Sequence, residues 1–152
     1  MDLDLLRRTA LFASFDDAEL LRVAEVCREL HYQPSDAIYR EGEPGDRLFV
    51  IVSGSVRISR HVNGAGEEAL AVLGPAASFG EVSVFDGAGR ATDAWANEAT
   101  ALAAVARPDL ERLLDRDPLL ARKLLSNVVR LLCGRLRSSN DSLRAFLAMS
   151  TF

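Results

Sequence analysis

Between residues 30 and 106 the chain is cut into short apolar runs by clusters of turn-forming residues, and this constrains its fold more than any other feature. Ile38-Tyr39, Leu48 to Val52, Val56 to Ser59, Ala69 to Leu73 and Ala101 to Val105 read as strands. Gln33-Pro34-Ser35-Asp36, Gly42-Glu43-Pro44-Gly45-Asp46, Ser53-Gly54-Ser55 and Asn63-Gly64-Ala65-Gly66 supply the turns between them. Many short strands at regular spacing predict a jelly roll or a barrel. Gly42, Gly45 and Gly54 are expected to permit left-handed or tight backbone.

Helical patterns flank this region. Leu3, Leu5, Leu6 and Leu11-Phe12 form a short amphipathic start. Asp16 or Asp17 suits the cap of a second helix, with Glu19 in its first turn and Leu20, Val23, Ala24 and Cys27 on one face. Pro108 suits the first turn of a later helix, and Asp117-Pro118 is a cap followed by proline at the first helical position. From Pro118 to Arg137 the pattern predicts a long helix with more apolar surface than one stripe on a small domain needs. The polar run Ser138-Ser139-Asn140-Asp141-Ser142 is expected to break it before a last amphipathic piece, Leu143 to Met149. The organisation predicted is one domain over residues 1–152: helices in 1–29, strands in 30–106, and helices again in 107–149.

A chain of 152 residues with 49% hydrophobic residues is large enough for one sizeable core. Its formal net charge of −4 argues against a general nucleic-acid binder, though one arginine can dominate its own pocket. Seventeen of the eighteen cations are arginines, with Lys123 the sole lysine, which reads as compositional bias. Cys27 and Cys133 read as two buried small hydrophobes rather than a disulfide or a redox pair. The acidic start Met1-Asp2-Leu3-Asp4 lacks the pattern of a signal peptide, and no apolar run reaches membrane-spanning length. A cytoplasmic location without membrane attachment is expected. His31 and His61 lie on separate segments, so neither a metal cluster nor a catalytic pairing is visible. No enzyme activity, metal or cofactor is expected, and a metal-dependent jelly-roll enzyme would need more histidines.

The densest chemistry lies in Ser78 to Thr92, which holds a carboxylate, a short apolar turn, a glycine-rich loop, then one arginine followed by small residues. An anion with neighbouring hydroxyls needs such a set. Arg90 suits a charge-assisted contact to phosphate oxygens. The turn after Gly80 can start a short helix with free N–H groups. Glu81 has the wrong sign for phosphate and the right chemistry for a sugar hydroxyl.

This stretch resembles the phosphate-binding cassette of the cyclic nucleotide-binding domain family: Phe-Gly-Glu, an apolar trio, a loop, then Arg and small residues. Leu11 to Phe15 with Asp17 to Leu20, Ile38 to Asp46 and Val50 to Val56 are also similar to the family's entry helices and second to fourth strands. The resemblance implies an eight-stranded β-roll with flanking helices. It implies that Arg90 pairs with the cyclic phosphate, Glu81 binds the ribose 2′-hydroxyl, and Gly80 lets the backbone approach the sugar. Phe79, Val82 and Ser83 would lie near the ligand, and the N–H groups of Ala91 and Thr92 would complete the phosphate cradle. Ala91 stands where many relatives that prefer cGMP carry threonine, which points to cAMP over cGMP. The C-terminal helix would supply a lid over the base from the register of Leu131, Leu132 and Arg135. Leu131 and Leu132 read equally as core, Arg135 as solvated, and Trp95 as packing. Two positions depart from the pattern. Asp93 replaces a small or hydroxyl residue and would disfavour a nearby phosphate, and Gly89 replaces a proline and loosens the loop.

The function expected is therefore a non-enzymatic cyclic nucleotide receptor, the alternative being a roll that has lost its ligand and serves as a scaffold. With Phe152 soon after the long helix, no DNA-binding output is expected. The signal is expected to leave through the helix at 118–137 and the tail at 143–147, toward an unidentified protein effector, with the chain a monomer or a homodimer through that helix.

Overall fold

The computed structural model describes residues 1–151; Phe152 lies outside the described residues. Helix α1 (Leu3–Arg8), a 3-10 turn (Ala10–Phe12) and α2 (Asp17–Val26) come first. They lead into β1 (Cys27–Tyr32), β2 (Ala37–Tyr39), β3 (Arg47–Ser53), β4 (Val56–Val62), β5 (Gly66–Leu73) and β6 (Ser78–Phe79). After α3 (Glu81–Asp86) the chain returns to β7 (Asp93–Ala96) and β8 (Thr100–Ala106), then ends in α4 (Arg107–Arg116) and α5 (Pro118–Ser150). The eight strands form two four-stranded antiparallel sheets, ordered β1-β8-β3-β6 and β2-β7-β4-β5. This is the β-roll with flanking helices that the sequence resemblance implied.

Two cores lie on opposite sides of one sheet, and strand alternation explains both. On β3, Phe49 and Ile51 face the roll interior with Tyr39, Val56, Phe79, Leu102 and Ala104. Leu48 and Val50 face the helices and join Leu6, Leu11, Leu20, Leu120 and Leu124. β8 divides in the same way, with Leu102 and Ala104 inward and Ala103 and Val105 toward the helices. A strand buried on both faces reads as an unbroken apolar run, which is how β3 and β8 stand out in the sequence.

The helix starts are built by caps. Asp16 accepts from the Glu19 N–H at 2.8 Å, and the Glu19 carboxylate accepts from the Asp16 N–H at 2.9 Å, a capping box. Asp117 accepts from the Leu120 N–H at 3.1 Å at the head of α5, with Pro118 in the first turn. Gly45 is required by close approach rather than by a left-handed φ: a Cβ there would run into the side chain of Ser83 on α3.

Three local expectations differ from the structure. Cys133, expected to be buried, is exposed, because it lies on the part of α5 that extends past the core. Cys27 is the first residue of β1, not the last of a helical face, because its backbone enters a six-residue ladder opposite Thr100 to Val105. The polar run 138–142 does not break α5, which continues to Ser150. No proline interrupts it, and Asp141 lies four residues after Arg137 and three before Arg144, a stabilising arrangement on a helix surface. Serine and asparagine lose only about 0.7 kcal/mol or less per residue in a helix interior.

Candidate functional site

Arg90 follows the glycine-rich loop and turns inward, leaving only 3% of its surface exposed. One terminal nitrogen donates to the Gly80 carbonyl at 2.8 Å and the other to the Arg47 carbonyl at 2.7 Å. The guanidinium lies over the Tyr39 ring at 4.2 Å and within 5.7 Å of the Phe49 ring. Its nearest carboxylate oxygen is on exposed Asp46, 3.9 Å away. The Arg90 Nε is buried and has no partner among the described residues. Burial pulls the Arg90 pKa down from its ordinary value, and the electrostatics of Tyr39 and Asp46 oppose that. A buried cation without a bonded counter-ion is costly, so this group retains strong demand for an anion.

Glu81 begins α3 directly after Gly80 and is 1% exposed. One carboxylate oxygen pairs with Arg135 on α5, and the other is buried without a partner among the described residues. Gly80 adopts a left-handed φ of +80°, and a Cβ there would meet the Arg90 terminal nitrogen at 2.8 Å. Glycine thus allows the chain to turn into α3 while its carbonyl holds Arg90. The site therefore contains a buried cation and a buried carboxylate on neighbouring elements, each with an unused hydrogen-bonding atom.

The β2–β3 connection grips the loop around Arg90. The Gly42 N–H donates to the Arg90 carbonyl and the Arg90 N–H to the Glu43 carbonyl, both at 2.8 Å, beside a bridge between Pro44 and Gly89. Gly89 is packed here, since a Cβ on it would lie 3.0 Å from the Gly42 carbonyl oxygen. Asp93 accepts from the Glu41 N–H at 2.7 Å, so its carboxylate pins the same connection. That contact explains why an acidic residue is tolerated so soon after Arg90 in the chain, close to a candidate anion site.

The other candidate residues divide by exposure. Phe79 and Ser83 are buried, Val82 is 39% exposed, Ala91 is exposed and Thr92 half-buried. Leu131 is half-buried against the helical core, and Leu132 is exposed. Arg135 is half-exposed and reaches from α5 to the buried Glu81 carboxylate. Trp95 lies on β7 with Arg40 over its ring at 4.8 Å, a packing role away from Arg90.

Residues 29–117 match the cyclic nucleotide-binding domain family. The chain belongs to that family. It is 29% identical over 140 residues to the CRP-like cAMP-activated global transcriptional regulator of Mycobacterium tuberculosis, covering 92% of this chain and 61% of that protein. It is 38% identical over 109 residues to the cyclic AMP receptor protein of Thermus thermophilus, covering 72% of this chain and 49% of that one. The crystal structure of the N-terminal domain of a transcriptional regulator from Streptomyces coelicolor superposes with a TM-score of 0.78 at 37% identity, over 91% of this chain and 96% of that chain. The chain thus spans about half to three-fifths of the length of the curated relatives it matches.

Within this cyclic nucleotide-binding domain, sequence reasoning missed Tyr39, whose ring lies under Arg90. Burial is the main reason its pKa is raised. It also missed the partner of Arg135, since Glu81 lies 54 residues earlier. A basic residue one turn beyond the buried part of an amphipathic helix was the available signal for that pairing. Ser138, Ser139 and Ser142 follow Arg135 at helical spacings of three, four and seven and extend its face of α5.

Proposed function

We propose that this domain is a cyclic nucleotide receptor, that it favours cAMP over cGMP, and that it is not an enzyme. One observation carries the reading: Arg90 and Glu81 are both buried beside Gly80, and each keeps an unpaired polar atom among the described residues. A cyclic nucleotide offers the complement, an anionic phosphate next to a ribose hydroxyl. Arg90 takes the phosphate, with the backbone of Ala91 and Thr92 beside it. Glu81 takes the 2′-hydroxyl, and Phe79, Gly80, Val82 and Ser83 form the wall around the sugar. Ala91 has no side-chain hydrogen-bonding atom for a guanine amino group, and the mycobacterial and Thermus relatives are named for cAMP.

In this reading Arg135, with Leu131 and Leu132 on the same helix, covers the base side of the ligand. A 2′-hydroxyl donating to the free Glu81 oxygen shares the carboxylate with Arg135, so ligand binding changes how α5 is held. The signal passes through α5, which has an exposed apolar stripe at Leu125, Val129, Leu132, Leu136, Leu143 and Phe146. Its steps are four and three, as in a coiled-coil seam, once the polar Ser139 is counted between Leu136 and Leu143, and a groove beside Leu114, Pro118, Leu125 and Val129 continues it. Two copies of the chain pair along this seam, and the pair presents its state to a protein effector in the cytoplasm.

Calorimetric titration with cAMP and cGMP tests the reading. Saturable cAMP binding, weaker for cGMP, is expected, with a loss of about a hundredfold or more in Arg90→Ala from removing one partner of a buried charge contact. A folded protein, stripped of nucleotide, that gives no signal with either ligand would overturn it in favour of a scaffold role.

A further inference from the structure

Tyr39 takes no part in the roles assigned so far, yet it makes the closest aromatic contact of the buried arginine. The residue is 8% exposed, and its ring lies 6.2 Å from Phe49 and 6.1 Å from Phe79, which stack on each other at 5.0 Å. These three rings form a floor, and the Arg90 guanidinium lies on the Tyr39 part of it, 4.2 Å from the centroid. The edges of the guanidinium are fixed by the Gly80 and Arg47 carbonyls, which come from α3's cap and the start of β3. Two carbonyls alone leave a planar group free to rock about the line joining them. A ring against one face removes that freedom. It also offsets the cost of burying a charge whose nearest carboxylate, on Asp46, is exposed and beyond hydrogen-bond distance.

From this geometry we infer that Tyr39 is a positioning residue: its ring holds the buried Arg90 guanidinium, through a cation–π contact, in the orientation that receives an anion. The inference rests on the phosphate role proposed for Arg90. The acting group is the ring face and not the phenol, since it is the ring centroid that the guanidinium overlies at 4.2 Å. The backbone around both residues is fixed independently, by the Gly42–Arg90 and Arg90–Glu43 hydrogen bonds and by Asp93 on Glu41. Loss of the ring should therefore loosen the guanidinium while leaving the loop in place.

Three variants separate the possibilities. Tyr39→Phe keeps the ring, whereas Tyr39→Leu and Tyr39→Met keep apolar bulk without it. Affinity for cAMP is read by titration. The Arg90 Nε–H resonance is read by nitrogen–proton NMR without ligand, assigned by its disappearance in Arg90→Lys. In the wild type this resonance is expected to be sharp and shifted by the ring current. Tyr39→Phe should keep that shift and bind cAMP within about twofold of wild type. Tyr39→Leu and Tyr39→Met should lose the shift and bind about tenfold more weakly. Wild-type affinity and resonance position in either aliphatic variant would overturn the inference. So would a Phe variant as weak as the Leu variant, which would assign the role to the phenol. If Tyr39→Leu does not fold, Tyr39→Met carries the test, and misfolding of both while Tyr39→Phe behaves as wild type would reduce Tyr39 to a core residue. A wild-type protein that binds no cyclic nucleotide would remove the receptor reading, and the resonance shift would still decide whether Tyr39 orients Arg90.

Discussion

The two halves of α5 share one helix and live in different environments. In the first half Leu120 and Leu124 are fully packed in the helical core. The buried Asn127 amide donates to the Leu11 and Ala13 carbonyls at 2.9 and 2.7 Å, satisfying the turn that precedes α2. Lys123 pairs at 2.6 Å with Glu19, itself part of the α2 capping box. In the second half every residue from Leu132 to Ser150 is exposed, apolar ones included, and Arg135 to Glu81 is the ion pair that returns to the roll. One segment is therefore a structural member of the domain, and the other is an arm that, among the described residues, is attached to the candidate site by a single ion pair. A ligand can redirect such an arm without disturbing the core, because the arm's few contacts open at far lower free energy than the packed segment.

The largest expected effect breaks this contrast from the anchored side. Leu124→Ala removes a side chain that is 1% exposed and should lower unfolding stability by about 2–5 kcal/mol. Leu143→Glu, on a residue that is 56% exposed, should leave the unfolding of the roll within about 0.5 kcal/mol. It should instead convert a dimer to a monomer in sedimentation. Equal thermal shifts in the two variants would show that the arm is part of the folded body after all.

The sequence already carried the anchored half and much of the roll. The capping box at Asp16 and Glu19, the start at Asp117-Pro118, and the apolar runs of β3 and β8 all obey local rules that tertiary context did not change. The parts that escaped share a cause. β7 reads Asp-Ala-Trp-Ala, with three residues of weak strand preference, and is a strand because β2 and β4 pair with it on both sides. β6 is two residues long and exists only as an addition to β3. The helical continuation through 138–142 was hidden by residues that favour turns when nothing else is present. At the site, Gly80, Glu81 and Arg90 lie within one short stretch and were legible as a motif. Arg135 was legible as a candidate lid residue from its register on the C-terminal helix, whereas Tyr39 reaches Arg90's surroundings from 51 residues away and no local pattern records that approach.

An intermediate effect is expected at the junction itself. Arg135→Ala leaves Glu81 buried without its ion-pair partner, so stability should fall by about 1–2 kcal/mol, reduced from a fully buried case because Arg135 is 46% exposed. In hydrogen exchange, cAMP should change protection over residues 129–150 of the wild type. The same residues in Arg135→Ala should respond little, while cAMP still binds within about tenfold. Unchanged ligand response in this variant would mean that α5 senses the ligand through Leu131 and the core instead.

The smallest effect uses the two cysteines as reporters of the two environments. Cys133 is exposed on the arm, whereas Cys27 begins β1 and burial pushes its thiol up to about 11. On the monomeric Leu143→Glu chain at about pH 8, a disulfide reagent should modify Cys133 quickly and Cys27 only on unfolding. The raised thiol also has a consequence for stability. The folded state holds the Cys27 proton more tightly than the unfolded chain, whose value lies near 9.0. Its contribution is therefore complete below the unfolded value of 9.0 and is lost as pH rises toward about 11. Cys27→Ala should flatten that alkaline decline, and Cys133→Ala should not. Equal reactivity of the two thiols at about pH 8 would place Cys27 in an open β1 edge and remove the contrast between a sealed body and an exposed arm.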